Sequence, residues 1–173
     1  LFRSQLGNHT NASVEENMVR HMILNSIRSY RQMFCNEYGE LVIACDNTNY
    51  WRKQLFPYYK ANRKKNQEKS ELDWNMIFSC LNKIKEELKE FFPYKIIDLE
   101  STEADDIIAT LCDHVKENIL ILSGDHDFIQ LHTRTWVKQY DPTRKKWVKD
   151  SDPDRYLDRK STRLNSSHTD ISR

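Results

Sequence analysis

Apolar residues at Val14, Met18, Met22, Ile23, Ile27 and Tyr30, with Phe34 following, recur at the spacing of one helix face, which predicts a helix over residues 14–36. Ser13, with Glu16 three residues on, reads as a capping box at its start. The pattern then changes. Residues 41–45 form a continuous apolar run closed by Asp46, as in a strand buried on both faces. Helical spacing returns over residues 73–92, with Asp73 as cap and Pro93 as stop. Residues 94–99, around Ile96 and Ile97, read as a second strand. Residues 102–117 read as a helix with Ile107, Ile108 and Leu111 on one face, and 118–123 as a third buried strand. Residues 135–140 and 146–149 alternate on either side of Asp141-Pro142, as a hairpin does.

Strands alternating with helices define βαβ units. The expected fold class is therefore α/β, with a mainly parallel central sheet flanked by helices. In such sheets ligands sit beyond the carboxyl ends of the strands. Asp46 follows the first strand, and Asp125 and Asp127 follow the third. Chemistry is expected at that edge.

Composition removes several alternatives. The chain has 173 residues and 3 glycines, where ordinary usage of about 7% would give roughly a dozen. Gly7, Gly39 and Gly124 are too dispersed for a Walker A loop, a dinucleotide fingerprint or a nucleophile elbow. With 31% charged and 38% hydrophobic residues the chain reads as globular. The longest apolar runs, 41–45 and 119–122, fall far short of a membrane span, and no secretory apolar region opens the chain. Cys35, Cys45, Cys80 and Cys112 show no CxxC spacing, which argues against a thiolate zinc site and for reduced thiols in a cytosol-like compartment.

Both ends are unusual. The first residue is Leu1, so the sequence is expected to begin inside a longer protein. Residues 158–168 are, codon for codon, the translation of a common sequencing-adapter string, so 158–173 is expected to be a foreign tail and 1–157 the native part. Without that tail's 4 Lys/Arg and 2 Asp/Glu, the totals of 27 and 26 fall to 23 and 24, a net charge of −1. A near-neutral total says little about partners; the distribution says more.

Acidic groups gather at strand ends and one helix start: Asp46, the Glu103-Ala104-Asp105-Asp106 cluster, and Asp125-His126-Asp127. Each alone has an ordinary structural explanation. Asp46 can open a turn, Glu103 and Asp105 can favour a helix dipole, and an Asp-x-Asp can cap a helix. Together, at successive strand ends, they point to hard divalent cations held by oxygen ligands, Mg²⁺ or Mn²⁺. Two such ions about 4 Å apart serve phosphodiester cleavage. His126 reads as a spacer facing away, and Asp113 and Glu117 as a solvated helix face.

Residues 51–69 carry 7 Lys/Arg against Glu68 alone, a net of +6, interleaved with Trp51, Phe56, Tyr58 and Tyr59. Basic groups bind phosphates and aromatic rings stack on bases. A solvated basic helix is the alternative. The segment directly follows Asp46, so it is expected beside the acidic edge, where a cation stabilises charge developing on a phosphate.

The stretches NMVRHMILNSIRS, DN…YWR…YYKANR, TEADDIIA, ILSGDHDFIQL and VKQY…KKWVK together resemble the flap endonuclease family of 5′→3′ exonucleases, and within it the T-even bacteriophage branch. The resemblance covers residues 14–150 and is most specific where EADD is followed by GDxDF. It implies a PIN-like α/β domain, the family's N-terminal catalytic domain, here incomplete. It implies a 5′→3′ exonuclease and 5′ flap endonuclease that uses two Mg²⁺ ions, Mn²⁺ substituting. The substrates would be DNA and RNA–DNA duplexes with 5′ ends or flaps, and the role removal of RNA primers in lagging-strand replication. Residue by residue, Asp46, Glu103, Asp105 and Asp106 would hold the first ion and Asp125 and Asp127 the second. Arg52, Tyr59, Lys60, Arg63, Lys64 and Lys65 would meet nucleic acid from an arch at residues 50–70, with Lys60 and Arg63 nearest the scissile phosphate. The resemblance also implies a monomer in the cytoplasm of an infected bacterium, no membrane, and a phage single-strand DNA-binding protein as partner.

Two departures stand out. The family's first metal-binding aspartate lies on an N-terminal strand, and residues 1–13 contain no aspartate. The family's helical DNA-binding element should follow residue 150, where the adapter-like tail stands. The fragment is therefore expected to cut poorly. Two other functions stay open: a small PIN-type ribonuclease, against which the basic arch argues, and a non-catalytic DNA-binding module with structural acidic residues.

Overall fold

The computed structural model describes residues 16–47, 49, 51–56 and 74–149. In chain order the elements are α1 (Glu16–Tyr38), β1 (Val42–Ala44), α2 (Trp51–Leu55), α3 (Trp74–Phe91), β2 (Lys95–Ile97), α4 (Ala104–His114), β3 (Ile119–Leu122), a 3-10 helix (His126–Thr133), β4 (Val137–Asp141) and β5 (Lys146–Val148). The chain forms two compact units divided after Ile108. Among the described residues no helix is long and apolar enough to cross a membrane.

In the first unit α1 and α3 carry the core. Val19, Ile23 and Ile27 of α1 cluster with Ile77, Cys80, Ile84 and Leu88 of α3, and Ile43 and Ile96 of the strands pack on them. The α1 face is turned slightly from the expected one. Val19 is buried, while Met18 and Met22 are half-buried. Ser13 and Asp73, the expected caps, lie outside the described residues. Gly39 ends α1 at φ 72°, donating its N–H to the carbonyl of Cys35 at 2.9 Å, a left-handed closure that costs glycine little. Ion pairs tie the two helices: Arg20 to Glu87 at 2.7 Å, and Lys83 to Glu16 at 2.7 Å.

β1 and β2 pair in parallel, with Ile43 opposite Ile96. Asp98, just past β2, accepts from Lys85 at 2.7 Å and Lys89 at 3.1 Å, which fastens the strand end to α3.

The second unit holds a three-stranded sheet in the order β3-β4-β5. β3 and β4 are parallel, with Ile121 opposite Gln139, and β4 and β5 form the expected antiparallel hairpin. Asp141 belongs to β4 rather than to the turn: it is buried, and its Oδ1 accepts from the N–H groups of Thr143 and Arg144. The 3-10 helix has no counterpart among the elements expected from sequence. Its Phe128, Ile129 and Leu131 are buried. The strands thus pair as two sheets, a parallel pair and a mixed triplet, consistent with the α/β expectation.

Candidate metal and nucleic-acid site

The first unit brings four of the expected residues into one network. The loop after β1 is stitched to the loop after β2: the Asn47 N–H donates to the Thr102 carbonyl at 3.1 Å and the Trp51 N–H to the Ser101 carbonyl at 3.0 Å. Ser101 sits at φ 60° within this crossing. Asp46 Oδ1 accepts from the Ala104 N–H at 2.8 Å, capping the first turn of α4 from across the sheet edge. The stitching seats α2 against the start of α4. There Arg52 Nη1 donates to Glu103 Oε2 at 2.7 Å and to Asp106 Oδ2 at 2.6 Å, while its Nη2 reaches Asp106 Oδ1 at 2.6 Å. The Trp51 indole N–H adds a 3.3 Å bond to Asp106, and the guanidinium lies 4.5 Å from the Trp51 ring centroid.

Glu103 is 3% exposed. A buried carboxylate needs a compensating cation, and Arg52 supplies it. The same guanidinium, first among the causes, holds the Asp106 carboxyl below the usual aspartate range. Asp105, one residue earlier, is exposed on the first turn of α4. Arg52 was expected on the nucleic-acid side; its guanidinium is instead bound within the acidic cluster. Nothing in the basic segment's pattern signals this role, which depends on contacts made 51 and 54 residues away.

In the second unit Asp125 and Asp127 follow β3 as expected. Asp125 is the N-cap of the 3-10 helix, its Oδ1 accepting from the Asp127 N–H at 2.9 Å. Its own N–H donates to Ser123 Oγ at 3.1 Å. His126 is exposed, in keeping with a spacer. Asp113, expected merely solvated, pairs with Arg134, and Glu117 is exposed. Tyr59, Lys60, Arg63, Lys64 and Lys65 lie outside the described residues, as does most of the expected arch.

The candidate donors in both units are carboxylate oxygens, which suit a hard divalent cation. Among the described residues no three His, Cys, Asp or Glu side chains stand together as a formed metal cage. Two facts account for this in the first unit: Arg52 spans Glu103 and Asp106, and Asp46 is turned to the Ala104 N–H. A side-chain cation occupies the electrostatic role a metal would take. The carboxylates fit a divalent ion in chemistry.

A chain of this fold, with acidic residues at the carboxyl ends of parallel strands, belongs to the nucleases of the 5′→3′ exonuclease class: the family model for the 5′-3′ exonuclease N-terminal resolvase-like domain matches residues 1–160. Among its relatives, ribonuclease H of Enterobacteria phage T4 is 44% identical over 138 residues. That match covers 76% of this chain and 45% of the relative, so the chain spans about half the relative's length. Two solved structures share the fold at 19% identity, each covering 87% of this chain and 55% of the other. They are the T5 D15 protein co-crystallised with metal ions, with a TM-score of 0.56, and the T5 5′-exonuclease with bound divalent metal ions (zinc), with a TM-score of 0.60.

Proposed function

We propose that this chain is the catalytic part of a divalent-metal-dependent 5′→3′ exonuclease and 5′ flap endonuclease that acts on DNA and RNA–DNA and removes RNA primers during phage replication. The observation that carries it is a buried, cation-compensated Glu103 beside Asp46 and Asp106 at a parallel strand edge, in a member of the 5′→3′ exonuclease family. The metal-bound T5 relatives support a divalent ion; Mg²⁺ is the proposed one.

Asp46, Glu103, Asp105 and Asp106 would hold one ion, and Asp125 and Asp127 another. Such ions supply charge neutralisation and the acidification of bound water. The chain's own residues do the rest. Arg52 holds the Glu103 and Asp106 side chains in place. Asp46 fixes the start of α4, and with it the spacing of Glu103 and Asp106. Asp125 orders the turn that presents Asp127. Tyr59, Lys60, Arg63, Lys64 and Lys65 would bind the 5′ strand, Lys60 and Arg63 countering charge on the scissile phosphate.

A second reading, a non-catalytic nucleic-acid-binding module, is favoured by the structural employment of Asp46 and Asp125 as caps. Cleavage of labelled 5′-flap DNA in Mg²⁺ separates the two. The chain extended to the length of its relatives cuts the flap, and Asp125→Asn abolishes cutting while leaving flap binding largely intact. Turnover unchanged in Asp125→Asn would refute the ligand role, and an extended protein that binds flaps without cutting would establish the module.

A further inference from the structure

Gln139 is fully buried on β4, among residues the proposed chemistry does not use. Its Nε2 donates twice, to the Ser123 carbonyl at 2.7 Å and to the Asp125 carbonyl at 2.8 Å. Two carbonyl partners require a group with two N–H donors, which fixes the amide's orientation. The pairing of β3 with β4 reaches the Ser123 N–H, which donates to the Tyr140 carbonyl at 3.0 Å. Beyond it the chain leaves the sheet, and the Gln139 side chain carries on as donor where the backbone ladder stops. The same loop is gripped again two residues along β4. A Cβ placed on Gly124 would stand 3.0 Å from Asp141 Oδ1 and 3.1 Å from its Oδ2, so any side chain there would push that carboxylate back by a few tenths of an ångström.

We infer that Gln139 is a positioning residue that clamps the Ser123–Asp125 backbone and so aims the Asp125 carboxylate. The inference rests on the proposed reading of Asp125 as a metal ligand. Fixing the Asp125 carbonyl fixes the peptide from which its side chain departs, and that side chain in turn orders Asp127 through the 2.9 Å cap bond. Asp141, on the same face of β4, packs against Gly124 one residue before Asp125. Groups that orient a ligand without touching the ion change metal affinity by about 10- to 100-fold when removed.

The test is a double-mutant cycle on the 173-residue chain, read by Mn²⁺ titration and by hydrogen exchange of the loop amides. Gln139→Met keeps the volume and removes both donors. It is expected to weaken Mn²⁺ binding about tenfold and to speed exchange at the Asp125 and Asp127 amides, with β3–β4 amides still protected. In an Asp125→Asn background Gln139→Met should weaken Mn²⁺ no further, because it acts through that carboxylate. Should Gln139→Met fail to fold, Gly124→Ala disturbs the same loop from the Asp141 side and is expected to give the same tenfold loss. If Asp125→Asn weakens Mn²⁺ binding and neither loop variant does, the clamp is overturned. If Asp125→Asn itself leaves Mn²⁺ binding unchanged, the ligand reading falls instead.

Discussion

Arg52 ties the acidic cluster together. Glu103 is buried, and its described cationic partner is a guanidinium that also holds Asp106 in two parallel bonds. Removing one partner of a buried pair leaves the other charge uncompensated, which costs more than the pair itself contributes. Arg52→Gln should therefore destabilise the chain by about 2–4 kcal/mol in chemical denaturation, the partial exposure of Arg52 keeping the figure low. Saturating Mg²⁺ or Mn²⁺ should recover part of that loss, and more of it than these ions add to the unaltered chain. Equal ion effects on both proteins would show that Arg52 and a metal do not share the same carboxylates. The carboxylates themselves stood out in the sequence because each follows a strand or opens a helix. Their neutralisation by Arg52 was not, since a residue counted into a basic segment gives no sign of facing inward.

The helices of the first unit make two predictions at the scale of elements. Ile84 is 2% exposed between α1 and α3. Ile84→Ala should cost about 2–5 kcal/mol through lost burial and the cavity left, whereas Met33→Ala, at 59% exposure on α1, should stay within about 0.5 kcal/mol. The second concerns the joint of β2 and α3. Hydrogen bonding from Lys85, then from Lys89, holds the Asp98 carboxyl below its usual 3.8. A depressed folded-state value means the stabilisation is full above the ordinary aspartate range and lost as pH falls through the folded value. The chain should weaken on its acid limb, below about pH 4, and Asp98→Asn should flatten that limb in a pH series of thermal melts. An unaltered acid limb would show that other carboxylates govern it. Period and run length made α1, α3 and all five strands legible. The 3-10 helix was not, because Phe128, Ile129 and Leu131 span too few residues to show a period.

For the molecule as a whole, the sequence divides at residue 158 by its content and the fold divides at Ile108 by its contacts. The adapter-like tail has no apolar period, so deleting residues 158–173 should leave the melting temperature unchanged. A fall of several degrees, equivalent to about 1 kcal/mol, would show that the tail packs as native chain.

Hydrophobic spacing by itself determined the long helices, the strands, their order and the α/β class, because burial of one face leaves a period in the chain. Motif residues by themselves determined the family and the candidate carboxylates. Only the tertiary structure decided what those carboxylates touch. Asp46 meets a helix N–H 58 residues away, Arg52 meets Asp106 across 54, and Gln139 holds the loop of Asp125 across 14. Each of these partnerships depends on where the chain returns in space. A hint of the last one stood in β4, where Val137, Gln139 and Asp141 share one face and all are buried, as is Tyr140 on the other. A polar side chain pointing inward must find partners, but which carbonyls it reaches is set by the register of Ile121 against Gln139, and register is a property of the folded sheet.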